Sequence, residues 1–458
     1  MKFSEIHTVY FIGIGGIGMS ALARYFKSQG KVVSGYDKTE TELTVQLVKE
    51  GIPVHYTDLG DEVLKNLDKT SSLIIYTPAV PKDHGELNAF IRENYNLIKR
   101  AKALGIISSE LETFAVAGTH GKTTTSTLLS WVLNNTIDKC NAFVGGISSN
   151  FNSNTLIEPN SKRVVVEADE FDRSFLQLDP DYAIVTSMDA DHLDIYGDGS
   201  HLLESFRDFM NCVDEKGLIV INANLDLTNA VFSSLHKTKR ITYGTSSNAQ
   251  WKAINLRYEN ERFFFDIQSP QKEYQKIELG IPGAHNCENA TAVFALLSEL
   301  NFDEETIRKS LASFKGVQRR FDFQIRRNDL VVIDDYAHHP TEIEAFLSAV
   351  KKLYPAKKIT AVFQPHLFSR TRDFMDGFAK SLSICDELFL LDIYPARELP
   401  IPGITSEVLL QKVTASKKQM STKQGIVADL KKEKREVIVI IGAGDIDTCV
   451  KPIRDAYQ

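Results

Sequence analysis

The stretch Gly118-Thr119-His120-Gly121-Lys122-Thr123-Thr124 constrains this chain more than any other. A short apolar run, Phe114-Ala115-Val116-Ala117, leads into it, and a helical pattern from Thr125 to Leu133 leads out. A strand that turns through Gly-Lys-Thr into a helix is a phosphate cradle. Backbone N–H groups and the helix N-terminus hold anionic oxygens, Lys122 adds a point charge, and the Thr123 hydroxyl can reach Mg²⁺. The regular eight-residue loop would need glycine at position 116, which is Val116; the first glycine is displaced to Gly118, so this is a compressed variant.

Length and composition narrow the setting of that loop. A chain of 458 residues is expected to form two or three domains, each able to bury its own core. The net charge of −7 argues against nucleic acid as a partner, because phosphate binders need a basic face. Cys140, Cys212, Cys287, Cys385 and Cys449 are scattered and never form C-x-x-C, which fits a reducing, cytoplasmic setting better than a disulfide framework or a zinc site. The apolar stretch 9–23 is broken by four glycines and enters an αβ pattern, unlike a signal-peptide core. No run approaches the roughly 20 apolar residues of a membrane span, so no membrane partner is expected.

Alternating strand and helix patterns imply an α/β fold of three consecutive α/β domains, with boundaries at 1–108, 109–316 and 317–458. In the first block, residues 7–12 read as a strand, 13–18 as a glycine loop, 19–29 as a helix stopped by Gly30, and 72–76 as a strand. The second has apolar runs at 163–166, 182–186 and 217–222, then short alternating segments over 251–279 that suggest an antiparallel appendage. A helix is expected over 286–300, with Asn286 as a possible cap. The third has strands at 330–333, 358–363, 387–392 and 437–441, and a helix opened by Pro340.

Gly13-Ile14-Gly15-Gly16-Ile17-Gly18 satisfies G-x-G-x-x-G, and Asp37 stands roughly 20 residues on. Taken alone this is a dinucleotide fingerprint and suggests NAD or FAD. The physics is less specific: the loop offers N–H groups and a helix dipole to a pyrophosphate, and UDP carries one too. Around the second loop, the run Arg163-Val164-Val165-Val166-Glu167-Ala168-Asp169-Glu170 delivers Glu167 where a metal-binding carboxylate belongs. Asp189-Ala190-Asp191-His192-Leu193-Asp194 sets His192 among acids as a candidate Mg²⁺ ligand or substrate contact. Asn289 lies three residues after Asn286, where an amide can read an adenine edge. In the third block, Asp334-Asp335-Tyr336-Ala337-His338-His339-Pro340 and Phe363-Gln364-Pro365-His366, with Arg370 and Arg372, concentrate acids, histidines and arginines at strand ends. Arg319-Arg320 opens that block.

Together these motifs, with His285-Asn286-Cys287-Glu288-Asn289 and Arg319-Arg320-Phe321-Asp322, resemble the Mur ligases over essentially the whole chain. That family is ATP-dependent and builds the peptidoglycan precursor. The resemblance implies a Rossmann-like UDP-binding domain, a central P-loop-type ATPase domain and a Rossmann-like C-terminal amino-acid-binding domain. Within the family, the glycine loop and the Asp-Asp-Tyr-x-His-His-Pro string match best the members that join L-alanine to the lactyl carboxylate of UDP-N-acetylmuramate through an acyl phosphate, releasing ADP and phosphate. It implies Mg²⁺ as cofactor, ATP, UDP-N-acetylmuramate and L-alanine as small-molecule substrates, and neither NAD nor FAD.

By the same resemblance, Gly13, Gly15, Gly16, Gly18, Met19, Asp37, Thr77 and Ala79 would meet the UDP-sugar. Gly118, Thr119, His120, Gly121, Lys122, Thr123 and Thr124 would hold ATP phosphates, Asn286 and Asn289 its adenine, and Arg320 and Asp335 would close on the nucleotide. Thr123, Glu167 and His192 would bind metal; Tyr336, His338 and Arg370 would hold alanine. Lys122, Glu167, His192, Arg320, His338 and Arg370 form the implied catalytic set. Two departures stand out. Some relatives place an arginine where this chain has Leu367, and sibling ligases carry a carbamoylated lysine in a stretch, 193–211, that has no lysine here. A ligase that recycles a preformed murein peptide is the alternative within the family.

Overall fold

Runs such as Val9-Tyr10-Phe11-Ile12 and Val437-Ile438-Val439-Ile440-Ile441 are apolar on both faces, and both become buried central strands of parallel sheets. The computed structural model describes residues 3–188, 199–228, 230–259, 262–396 and 398–458. It contains three sheets, one in each of the three α/β domains.

The first sheet has β1 (Thr8–Ile12), β2 (Val32–Tyr36), β3 (Val54–His55), β4 (Ser72–Tyr76) and β5 (Asn96–Lys99), in the order β3-β2-β1-β4-β5. All its pairings are parallel. Helices α1 (Ile17–Ser28), α2 (Glu42–Lys49), α3 (Gly85–Arg92) and α4 (Arg100–Ser108) connect the strands. The strand order reverses at β1 and β4, which is where an open sheet of this kind binds ligands. The glycine loop follows β1 and Thr77 follows β4, so the two meet there. Gly30, at φ +76°, donates to the carbonyl of Lys27 and ends α1 as the sequence implies.

The central sheet has ten strands: β6 (Glu112–Ala117), β7 (Asn141–Phe143), β8 (Thr155–Leu156), β9 (Arg163–Ala168), β10 (Tyr182–Val185), β11 (Leu218–Asn222), β12 (Lys239–Gly244), β13 (Trp251–Glu259), β14 (Arg262–Gln268) and β15 (Glu273–Leu279). β6 lies between β9 and β10, parallel to both. The segment 251–279 is no separate appendage. It continues the same sheet as β13, β14 and β15, joined by parallel pairing of Tyr243 and Gly244 with Trp251 and Lys252. The alternation in sequence reflects one solvated face, not a different architecture. Helices α5 (Lys122–Asn134), α6 (Gly199–Cys212), α7 (Ala284–Glu299) and α8 (Glu304–Ser313) complete this block.

The third sheet has β16 (Asp322–Arg326), β17 (Val331–Asp335), β18 (Ile359–Phe363), β19 (Glu387–Leu390), β20 (Lys417–Met420) and β21 (Val437–Ile441), in the order β16-β17-β21-β18-β19-β20. Only the edge strand β16 pairs antiparallel. α9 (Pro340–Leu353) starts at Pro340, and His339 caps it: its ring accepts from Thr341 N–H while Glu342 reaches back to the His339 N–H.

The chain divides into two compact units: residues 1–255, 265–278 and 288–314, and residues 256–264, 279–287 and 315–458. The first sheet and most of the central one share the first unit because one apolar core runs between them. Tyr25 meets Phe143 edge-on at 5.6 Å, and Phe175 stacks on Phe209 at 4.9 Å. Each such ring buries enough surface to contribute about 1.5–3 kcal/mol. All five cysteines are free thiols. Among the described residues no helix is long and apolar enough to cross a membrane.

Candidate functional site

In the first unit, β6 runs into a loop of two constrained glycines. Gly118 sits at φ +141°, and a Cβ there would fall 2.0 Å from Thr186 Oγ1; Gly121 sits at φ +80° as the cap of α5. The helix therefore begins at Lys122 itself, three residues earlier than the sequence pattern suggested. The loop is braced from β10's end: Thr119 N–H donates to Ser187 O at 3.1 Å, His120 N–H to Ser187 Oγ at 2.7 Å, and Thr186 Oγ1 to His120 O at 2.5 Å. Thr124 follows Thr123 in the first turn of α5, half-buried.

Lys122 folds back across this loop. Its Nζ donates to Gly118 O at 2.6 Å and to both oxygens of Glu170, at 2.9 and 2.7 Å. Glu170 is fully buried, and that desolvation pushes its carboxyl upward against the opposing pull of Lys122. Thr123 Oγ1 donates to Glu167 Oε1 at 2.8 Å, and Gly145 N–H to Glu167 Oε2 at 2.5 Å. A hydroxyl and a carboxylate at one strand end are oxygen donors of the kind a hard dication takes. His192 lies outside the described residues, and among those residues no group of three or more His, Cys, Asp or Glu forms a metal cluster. Asn289 stands beside the loop, its Oδ1 3.1 Å from where a Cβ on Gly121 would project.

At the other loop of this unit, Gly13 has φ +87°, and a Cβ there would meet Thr77 Cγ2 at 2.5 Å. Asp37 Oδ2 accepts the Gly15 N–H at 2.7 Å, so the acid secures the loop itself. Gly16 caps α1, Met19 is buried in its first turn, and Ala79 is exposed beyond β4 with its N–H 3.5 Å from Thr77 Oγ1. A Cβ on Gly18 would lie 2.3 Å from Arg100 Nη1, so a larger residue there would displace that guanidinium. A cavity of about 100 Å³ has Gly18 and Arg100 on one wall and Gly145, Glu167 and Asp169 on another. Of the glycine loop it meets Gly18 alone, and of β9 it meets Glu167.

The second unit gathers its own cluster. Tyr336 lies between two guanidiniums, with Arg319 and Arg320 each 5.0 Å from its ring centre. Asp335 accepts N–H groups from Phe321 at 2.7 Å and Ala337 at 2.8 Å; burial pushes its pKa up to about 6, with Arg320 opposing. Asp334, 3.5 Å from Arg319, is pushed up to about 7 by burial. His338 Nδ1 faces Tyr336 O at 3.0 Å, and a carbonyl only accepts, so Nδ1 carries the proton and Nε2 is left as an acceptor. Burial lowers the His338 pKa to about 4, with Arg370 and Arg320 adding to the fall and Glu342 opposing it. Neutral at ordinary pH, His338 leaves the positive charge here to arginines, Arg319, Arg320 and Arg370 among them. His366 stacks on Tyr394 at 5.6 Å, and its buried Nδ1 has no hydrogen-bond partner among the described residues. Leu367 is held at φ +67°, with its N–H on Tyr394 O at 2.9 Å. Asn286 is no cap: it lies inside α7, nearly fully buried, with Nδ2 donating to Pro282 O at 2.6 Å.

Sequence reasoning passed over Glu170, Thr186, Ser187, Arg100 and Glu342. Glu170 had a signal, standing three residues after Glu167 in the same string; the others had none without the fold.

Comparison with known proteins agrees with this layout. The model of the Mur ligase family catalytic domain matches residues 8–111, that of the Mur ligase middle domain 116–297, and that of the Mur ligase glutamate ligase domain 319–445. A UDP-N-acetylmuramate–L-alanine ligase of Flavobacterium psychrophilum is 52% identical over 99% of both chains. One from Parabacteroides distasonis is 44% identical over 99% of this chain and 98% of its own. Among solved structures, a UDP-N-acetylmuramate–alanine ligase of Thermotoga maritima superposes with a TM-score of 0.80 at 29% identity, over 98% of this chain and 99% of its own. A murein peptide ligase from Psychrobacter arcticus, at 21% identity and a TM-score of 0.67 over 98% of both chains, shares the fold. The chain belongs to the Mur ligase family.

Proposed function

We propose that this enzyme joins L-alanine to the lactyl carboxylate of UDP-N-acetylmuramate with ATP, releasing ADP and phosphate, in the cytoplasmic synthesis of the peptidoglycan precursor. Residues 1–108, 109–316 and 317–458 would serve as UDP-sugar, ATP and amino-acid domains. The observation that carries the reading is the turn after β6, where Lys122 crosses back to Gly118 O and Thr123 meets Glu167, the oxygen donors and cation a nucleotide's phosphates require.

In the first step a carboxylate oxygen attacks the γ-phosphorus, the bond to ADP breaks, and an acyl phosphate forms. Both reactants are anions, so positioning and charge cancellation dominate. The loop N–H groups and Lys122 hold phosphate oxygens. Thr123 and Glu167 fit Mg²⁺, which when bound would supply further positive charge at the phosphates. Gly13, Gly15, Gly16, Gly18, Met19, Thr77 and Ala79 line the UDP-sugar's side, with Asp37 acting through Gly15. In the second step the alanine amine, having lost its ammonium proton, attacks the acyl carbon and phosphate leaves. Arg370 would pair the alanine carboxylate. His338, neutral with Nε2 as acceptor, would take a hydrogen bond or proton from the amine, and Tyr336 would complete the pocket. Asn286, Asn289, Arg320 and Asp335 are assigned to the nucleotide.

ADP release tests this with UDP-N-acetylmuramate and either L-alanine or L-Ala-γ-D-Glu-meso-diaminopimelate as acceptor. Turnover is expected with alanine alone. Turnover with the tripeptide and not with alanine would make this the recycling ligase.

A further inference from the structure

The Lys122–Glu170 contact is an unusual arrangement for a phosphate cradle. A fully buried carboxylate near the place of ATP's phosphates repels them, which disfavours binding unless the acid does something else. A buried ion pair is also no general source of stability, since an apolar pair of the same volume often serves as well. What the pair accomplishes is geometric. Lys122 is the first residue of α5, and its side chain returns to the start of the loop, where its three N–H groups meet Gly118 O and both oxygens of Glu170. The ammonium is thus fixed from two sides, by the loop and by the residue after Asp169, and only 13% of the lysine side chain is exposed. Any phosphate that takes a hydrogen bond from Lys122 must take it from one of these partners. Gly118 O belongs to the main chain of the turn, so the side-chain partner that can be altered without changing the turn is Glu170.

We propose that Glu170 is a positioning residue for Lys122: it aims the ammonium across the cradle and shares it with the terminal phosphoryl group of ATP during transfer. This rests on the assignment of the cradle to ATP. The pairing makes Glu170 matter more in the transition state than in binding, because an aimed charge acts on charge as it develops. Without the carboxylate, Lys122 keeps only its bond to Gly118 O and swings, while phosphates bind without the repulsion. A misplacement of about 1 Å in such a site lowers rate by up to roughly 100-fold.

The test uses the full chain with Glu170→Gln, which keeps volume and one acceptor, and Glu170→Asp, which keeps charge on a shorter stem. ATP affinity is measured by calorimetry without the acceptor substrates, and kcat by ADP release. The expected result is a fall in kcat of roughly 10- to 100-fold for Glu170→Gln, ATP affinity equal or tighter, a Tm that falls but leaves a cooperative unfolding transition, and partial recovery of kcat in Glu170→Asp. Three results would overturn the proposal: ATP affinity falling in step with kcat, Glu170→Gln matching the parent, or Glu170→Asp doing no better than Glu170→Gln. Should the parent bind ATP yet release no ADP with UDP-N-acetylmuramate and alanine, the reaction assigned above fails. The calorimetry would then still judge the Glu170 proposal, because weaker ATP binding in Glu170→Gln would sink it alone.

Discussion

Two strand–glycine–helix turns sit in the first unit, and they differ in what surrounds an almost shared backbone. At the loop after β1, the acid Asp37 accepts the loop's own Gly15 N–H, and the cation beside the loop is Arg100, next to Gly18. At the loop after β6, Lys122 crosses the turn to Glu170, and Thr123 meets Glu167. The glycines state that a phosphate group can approach. Only the side chains around them state whether it is to be held or transferred. If the first loop is a grip and the second a reactive cradle, as proposed, experiments on each should fail in different ways.

The largest effect is expected at Lys122. Lys122→Ala should lower ADP release by on the order of 10²–10³. It also strands Glu170 as a buried carboxylate without its cation, so Tm should fall as well. The double variant Lys122→Ala/Glu170→Gln should restore Tm and not turnover. Near-normal turnover in either would erase the distinction between the two loops.

Next in size is the proposed alanine pocket, which would sharpen the contrast by adding a site that handles no phosphate. Arg370→Ala should raise the KM for alanine by one to three orders of magnitude, as losing a buried partner of a carboxylate costs roughly 2–5 kcal/mol. His338→Ala should raise it less, because a neutral ring lends no charge. The KM for ATP should stay within a few-fold, and borohydride should still trap the acyl phosphate without alanine. Loss of trapping would move these residues to the phosphoryl step.

A smaller effect is expected at the grip. Asp37→Asn weakens the acceptor on Gly15 N–H, and a charge-assisted bond contributes about 1.5–3 kcal/mol, so UDP-N-acetylmuramate should bind roughly tenfold or more weakly. ATP affinity should not change. Neither parent nor variant should bind NADH; micromolar NADH affinity in the parent would return the loop to its dinucleotide reading.

The smallest effect is a pH dependence of stability in the second unit. The folded pKa of Asp334 is raised to about 7, so the fold holds a proton that the unfolded chain has lost. Its contribution is present below the unfolded value near 4 and is lost as pH rises toward about 7. Asp334→Asn should therefore gain Tm relative to the parent across that window and level off above it. His338 runs the other way. Its folded pKa of about 4 means stability falls as pH drops from about 6.5, and His338→Gln should blunt that fall. A Tm difference between Asp334→Asn and the parent that is flat with pH would show the carboxyl to be charged throughout.

The sequence alone carried the α/β class, the two glycine turns, the strands that open onto 334–340 and 363–366, and the residues of the cradle. These are local matters: a turn that needs glycine, or an apolar run that must be buried on both faces, is written in a few adjacent letters. Tertiary structure decided the rest. That β13, β14 and β15 extend the central sheet depends on pairing with β12, which periodicity cannot report. Asn286 became an interior residue because α7 starts two residues earlier than the capping pattern implied. The raised pKa of Asp334 and the lowered pKa of His338 both follow from burial, with Arg319 opposing the first, and burial has no sequence signature of its own. Glu170 gained its meaning the same way. A carboxylate three places beyond a metal-type ligand is one of many acids in the chain, until the fold sets it against the ammonium of Lys122 and removes both from water.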